Sequence, residues 1–61
     1  MSILLSTALQ LCPKEYFIHI GGAVCTHKEI RAQFNIHKDR VRSIHFDRHR
    51  HCMVFEMIKR S

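Results

Sequence analysis

The side chains with most to offer chemically are cations in two short runs. His37-Lys38-Asp39-Arg40-Val41-Arg42-Ser43 is one, and Arg48-His49-Arg50-His51 is the other. Their chemistry is that of binding rather than bond-making. A guanidinium fork fits both acceptors of a guanine edge, so Arg42 is the candidate for a base contact, with His37 and Ser43 beside it. Lys38 and Arg40 suit phosphate oxygens, which fix position without reading sequence. Lys28, with the backbone amides that follow Thr26, is a further candidate for a phosphate. Arg48 and Arg50 suit a narrow minor groove, where width rather than base identity attracts arginine. Asp39 either accepts from a cytosine amine or, more simply, pairs with Arg40 or Arg42 on its own element.

Cysteine and histidine offer a second chemistry. Cys25-Thr26-His27 and His49-Arg50-His51-Cys52 carry ligand types that zinc takes four at a time. A small domain gains much stability from one such ion. Neither group has the two-residue gap of a zinc knuckle, and on a strand only one of His49 and His51 readily joins Cys52. The plainer reading is reduced, buried Cys25 and Cys52 with exposed histidines, and no metal or cofactor. Catalysis has little to work with. His51 and Cys52 are strand neighbours that point to opposite faces. No glycine-rich phosphate loop or carboxylate pair is present, and Gly21-Gly22 reads as a helix stop. No catalytic residue is expected, and the chain is not expected to be an enzyme. Phe34, Phe46 and Phe55 read as core rather than as a stacking platform.

The bulk properties agree with a binding role. The chain has 61 residues, which is one domain, and 46% of them are apolar. A domain this small buries only about 60% of its unfolded surface, leaving little room for an enclosed cavity. The formal net charge is +5 and is unevenly placed. Lys14 and Glu15 cancel in residues 1–27, while residues 28–61 hold nine Lys or Arg against four acids. A neutral apolar part joined to a basic part suggests packing at one end and polyanion contact at the other. Three cysteines, an odd number, fit a reducing cytoplasm better than an oxidised scaffold. The apolar start lacks the basic flank of an export signal and is too short to span a bilayer, so no membrane contact is expected.

These residues need elements to hold them. Ser2 suits the cap of a helix reaching about Leu11. Pro13 interrupts it and can open a new helical turn. Residues 16–20 are β-like in composition but place Tyr16, Phe17 and Ile20 on one helical face, and helix is favoured. Ala23-Val24-Cys25 is extended. Thr26 and Glu29 form a capping box for a helix from about His27 to Phe34. Ile30, Phe34, Ile36, Val41 and Ile44 follow at intervals of four, two, five and three. That spacing predicts a turn at Asn35 and a second helix over 37–44. Arg31 and Asn35 stand where a helix-turn-helix usually has a small residue and glycine. A strand over 45–47, a turn at 48–50 and a strand over 51–58 make a basic-tipped hairpin. The expected fold is α+β: a winged helix-turn-helix of about three helices plus a C-terminal β-hairpin. It forms a single domain over 1–61, with an apolar N-terminal helix in 1–12 and the winged helix-turn-helix in 13–58.

A helix, Gly-Gly, THKEIRAQFNI, HKDRVRSI and a strand with HCMVFEMI resemble the winged helix-turn-helix regulators. Within that superfamily the chain is similar to the CaiF/GrlA type of small enterobacterial, plasmid or phage regulators. The shared features are a Thr-capped helix ending in Phe (Thr26 to Phe34), a basic second helix and a Cys-bearing strand (Cys52). The resemblance covers about residues 13–58. It implies a promoter-binding protein without enzyme activity. The expected function is therefore sequence-specific binding of double-stranded DNA, with regulation of transcription as its output. About six neutralised phosphates would give a log–log salt slope near −5. The rival expectation is a small protein-binding regulator that grips a partner through the apolar N-terminal helix. Homodimerisation through residues 1–12 is its simpler version.

Overall fold

The computed structural model describes residues 2–58, so Lys59 and Arg60, two of the cations counted above, lie outside the described part. In chain order the elements are β1 (Ile3–Leu4), α1 (Leu5–Leu11), β2 (Phe17–Ile20), β3 (Ala23–Cys25), α2 (His27–Gln33), β4 (Arg40–Asp47) and β5 (Cys52–Met57). The strands form one five-stranded sheet in the order β1-β4-β5-β2-β3. β2 runs parallel to β5, and the other three pairings are antiparallel.

This is α+β, but it is not a winged helix-turn-helix. The expected second helix over 37–44 is replaced by a turn at 36–38 and by β4. The expected helix over 16–20 is β2. The hairpin after residue 44 forms, yet it is the middle of a sheet rather than a wing appended to helices. Two helices are therefore present among the described residues where about three were expected.

Each departure has a local cause. Residues 17–20 and 23–25 pair across Gly21-Gly22, with Ile20 opposite Ala23. Both glycines have positive φ, 58° and 84°. A two-residue hairpin turn of this kind needs positive φ at both positions. The dipeptide is thus a hairpin turn and not a helix stop. Ser2 caps no helix. Its hydroxyl and carbonyl accept from Arg40 Nε (2.8 Å) and Nη2 (2.9 Å), tying β1 to β4. The first amides of α1 are satisfied from the 36–39 turn instead, Leu5 N donating to Asp39 O and Ser6 N to Ile36 O, both at 2.9 Å. Asp39 closes that turn by accepting from Asn35 N at 3.1 Å.

One part of the helix-turn-helix expectation has its residues where they were placed. α2 starts after Thr26, whose Oγ accepts from Glu29 N at 3.2 Å while Glu29 Oε1 accepts from Thr26 N at 3.1 Å.

The core lies on one side of the sheet. Leu5, Ala8 and Leu9 form the inner stripe of α1, and Ile30 comes from α2. They meet Ile18 and Ile20 of β2, Cys25 of β3, Val41 of β4 and Phe55 of β5. Cys12 joins this cluster, and burial pushes its thiol up, so it serves as a small apolar group. The apolar face of residues 1–12 that was expected to grip a partner is therefore spent on the domain's own core. Leu11, 69% exposed, is its one large outward residue among those described.

Candidate nucleic-acid interface

The opposite side of the sheet carries no helix. Strand register places its residues in rows. Asp47, Cys52 and Phe17 share one row across β4, β5 and β2. His45, Val54, His19 and Val24 share the next, across β4, β5, β2 and β3. Ser43 and Glu56 share the third. Two of these residues are large, apolar and open to water: Phe17 is 54% exposed and Val24 56%. Cys52, between Phe17 and Asp47, is buried.

An irregularity in β4 shapes the far end of this face. Val41 pairs with Met57 and Ser43 with Glu56, so Arg42 is an extra residue on β4. A bulge of this kind breaks the alternation and re-aims side chains. Arg42 and Ser43 are both exposed, while Val41 on one side is in the core and Ile44 on the other packs against it. Arg42 joins His19, Val54, Glu56 and the Gly21-Gly22 turn around a groove of about 670 Å³.

The opposite end is built by the 48–51 turn. Asp47 Oδ1 accepts from His49 N at 3.0 Å and from Arg50 N at 3.3 Å. Desolvation pushes this carboxyl up, but the Arg50 and His49 amides and the Arg50 charge outweigh it and hold it below the usual carboxylate value. Arg50 lies 3.8 Å from the second carboxylate oxygen and is mostly exposed, so that pair adds little. Arg48 is exposed at the tip.

The cations expected to contact DNA do not share one surface. His37, Lys38 and Arg40 stand where β4 begins, and Arg48 and Arg50 where it ends. Eight residues of strand at about 3.4 Å each separate the groups by roughly 24 Å. Arg40 is committed to Ser2. Arg42 and Ser43 reach the open face. Lys28 is exposed on α2, and of the nearby amides the capping box uses those of Thr26 and Glu29.

Sequence reasoning missed Phe17 and His19. It weighed Phe34, Phe46 and Phe55 as aromatic candidates. Phe55 is buried, Phe34 packs against the core, and Phe46 meets Tyr16 edge-on at 5.4 Å between centroids. The signal for the missed pair was present. FIHI-GG-AVC alternates around a Gly-Gly turn, which places Phe17 and His19 on the face opposite Ile18 and Ile20.

No family model, curated protein or solved structure matches the chain. Among the described residues, no three His, Cys, Asp or Glu side chains converge as a metal site would require. The zinc assembly of Cys25, His27, His49, His51 and Cys52 is thus not brought together. No helix among them is long and apolar enough to cross a membrane.

A second cleft lies at the end of the sheet where β2 begins. Its volume is about 440 Å³ and its walls are Lys14, Thr26, His27, Lys28 and Arg31. His27 is 8% exposed, the only buried residue of the five. Its Nε2 lies 3.2 Å from Pro13 O. A carbonyl only accepts, so Nε2 carries the proton. Nδ1 is buried with no partner among the described residues. Leaving such an atom unpaired costs on the order of 1–3 kcal/mol.

Proposed function

We propose that this protein binds single-stranded nucleic acid across the uncovered face of its sheet. The observation that carries the reading is Phe17, an aromatic ring 54% exposed on an internal strand of a helix-free sheet face. Bases stack on such rings whatever their sequence, because every base has a π-face. His19 follows two residues later on the same face of β2, about 6.6 Å along the strand. That is near twice the roughly 3.4 Å rise per nucleotide of a duplex strand, so the two rings suit bases drawn apart rather than stacked on each other. His45 flanks this pair through Val54. Arg42 at one end and Arg48 and Arg50 at the other supply charge for the backbone.

Duplex DNA, with regulation of transcription as the output, is the second reading. The Asp47-ordered turn favours it, because it presents the exposed Arg48 and Arg50 together at one end of the sheet, where they suit phosphates. Under either reading three free, buried thiols suit a reducing cytoplasm.

Fluorescence anisotropy with labelled single strands of DNA and RNA, and the matching duplex, decides between them. Binding to single strands should exceed binding to duplex, with a log–log salt slope near −2 for about three phosphates. A slope near −5 and a preference for duplex would move the target to double-stranded DNA. No binding to any of them at low salt would end both readings.

A further inference from the structure

We propose that Glu56 makes the open face selective for guanine: its carboxylate, in the groove beside the Gly21-Gly22 turn, accepts from N1 and the 2-amino group of an unpaired guanine. The inference rests on the reading that this face binds single strands, and it assigns the base where that reading assigns only the polymer.

The first observation is a carboxylate on a surface that otherwise suits phosphates. Glu56 and Arg42 are both exposed, and both line the groove of about 670 Å³ together with His19 and Val54. That volume is in the range of small-ligand sites. Neither Glu56 nor Arg42 has an ion pair or side-chain hydrogen bond among the described residues. Asp47, the other acid in the rows of this face, is committed to the 48–51 turn. A phosphate is drawn to Arg42 and repelled by Glu56. A strand crossing the groove therefore sets its backbone on the first and a base on the second.

The neighbours of Glu56 leave its carboxylate open, which is the second observation. On β4 its partner is Ser43, a small side chain. On the other side β2 ends at Ile20, opposite Phe55, and the next residue is Gly21. Nothing lies within 4 Å of the point a β-carbon of Gly21 would occupy. Val54 precedes Glu56 by two residues on the same face, about 6.6 Å along the strand, and pairs with His19. A base lying over His19 and Val54 turns an edge toward Glu56.

Hydrogen-bond chemistry then chooses the base. An ionised carboxylate only accepts, and it does so through two oxygens. Guanine is the one standard base with two adjacent donors on its pairing edge, N1–H and the 2-amino group, and an unpaired base leaves that edge free. Adenine and cytosine each set one amine beside a ring nitrogen that only accepts. Thymine and uracil set one N–H between two carbonyls. With each of these, one carboxylate oxygen is left facing an acceptor that repels it.

Anisotropy with the full chain and labelled hexanucleotides, in DNA and RNA form, tests this. Each strand is pyrimidine (thymine or uracil) with one central base exchanged, and a single guanine per strand keeps strands from associating. Guanine should bind at least about fivefold tighter than adenine, cytosine or the parent pyrimidine, the low end for one bidentate base contact. Hypoxanthine, which is guanine without its 2-amino group, should lose most of that lead. Glu56→Ala should bind the parent strand more tightly, because a repelling charge is gone, and should bring guanine within about twofold of adenine. Where that variant does not fold, the comparison of guanine with hypoxanthine on the wild-type chain still decides. Equal affinity whatever the central base, or hypoxanthine equal to guanine, overturns the proposal and leaves the single-strand reading standing. A guanine lead that persists in folded Glu56→Ala overturns it too, because the contact then lies elsewhere. No binding of any strand overturns both.

Discussion

Phe17→Leu separates recognition from stability on the open face. A fully buried aromatic hides about 150–250 Å². With 54% of Phe17 exposed, roughly 90 Å² is shielded, worth about 2 kcal/mol at 25 cal/mol per Å². A domain of 61 residues has in all about 3–9 kcal/mol of stability, so alanine here would confound binding with unfolding. Leucine keeps the apolar base over β5 and costs below about 1.5 kcal/mol. What it removes is the flat ring. Base–aromatic stacking is worth about 1–3 kcal/mol, which is about 5- to 150-fold in affinity. Anisotropy with a labelled single strand of about twelve nucleotides would read the loss. Phe17→Tyr, which keeps the ring, should bind within about twofold of wild type, and the salt slope should stay the same in both variants because no phosphate contact changes. Wild-type affinity in a folded Phe17→Leu protein would refute stacking at this position. A changed slope would show that the substitution moved the cations instead.

Three further outcomes follow from the fold. Gly21 has φ 58°, and nothing lies within 4 Å of the point a β-carbon would occupy, so Gly21→Ala costs conformational strain alone, about 1 kcal/mol in urea unfolding, and Gly21→Asn costs less. His51 holds φ 52° without being glycine, so His51→Gly should raise the thermal midpoint by a few degrees, about 4–8 °C per kcal/mol for a domain of this size. The Asp47 carboxyl is held below its ordinary value, so its contribution is fully present above the unfolded pKa of about 3.9 and is lost as pH falls through the folded one. Asp47→Asn should therefore be less stable than wild type at neutral pH, with the gap closing in thermal melts below about pH 4.

How much was legible in the sequence depends on how local the signal is. The Thr26–Glu29 capping box is complete within four residues, and α2 begins after Thr26. The polar tip at 48–51 is equally local, and it turns the chain between β4 and β5. The stretch from Val41 to Ile44 misled for a physical reason. A strand buries every second residue, but the extra residue at Arg42 stretches one interval to three, so Val41 and Ile44 reach the core while Arg42 and Ser43 face out. An interval of three between apolar residues is the mark of a helix, and a bulged strand reproduces it. Phe46, two residues beyond Ile44, restores the strand period and was the available warning.

The open face was harder to read, because nothing local makes it. Phe17 and His19 become a surface only when β2 lies parallel to β5, whose partners stand 35 positions later in the chain. β5 in turn is placed by its hairpin with β4, and the bulge of β4 delivers Arg42 to the same side. One insertion in one strand thus had two effects: it disguised β4 as a helix, and it put a cation at the far end of the face that carries Phe17. The basic charge that suggested nucleic acid is genuine, but the fold distributes it differently. A recognition helix would have gathered His37 to Ser43 into one groove-facing patch; a strand spreads them, commits Arg40 to Ser2, and leaves Arg42 to serve the face on which Phe17 stands. That redistribution favours a platform that accepts bases from a single strand over a probe that enters a duplex.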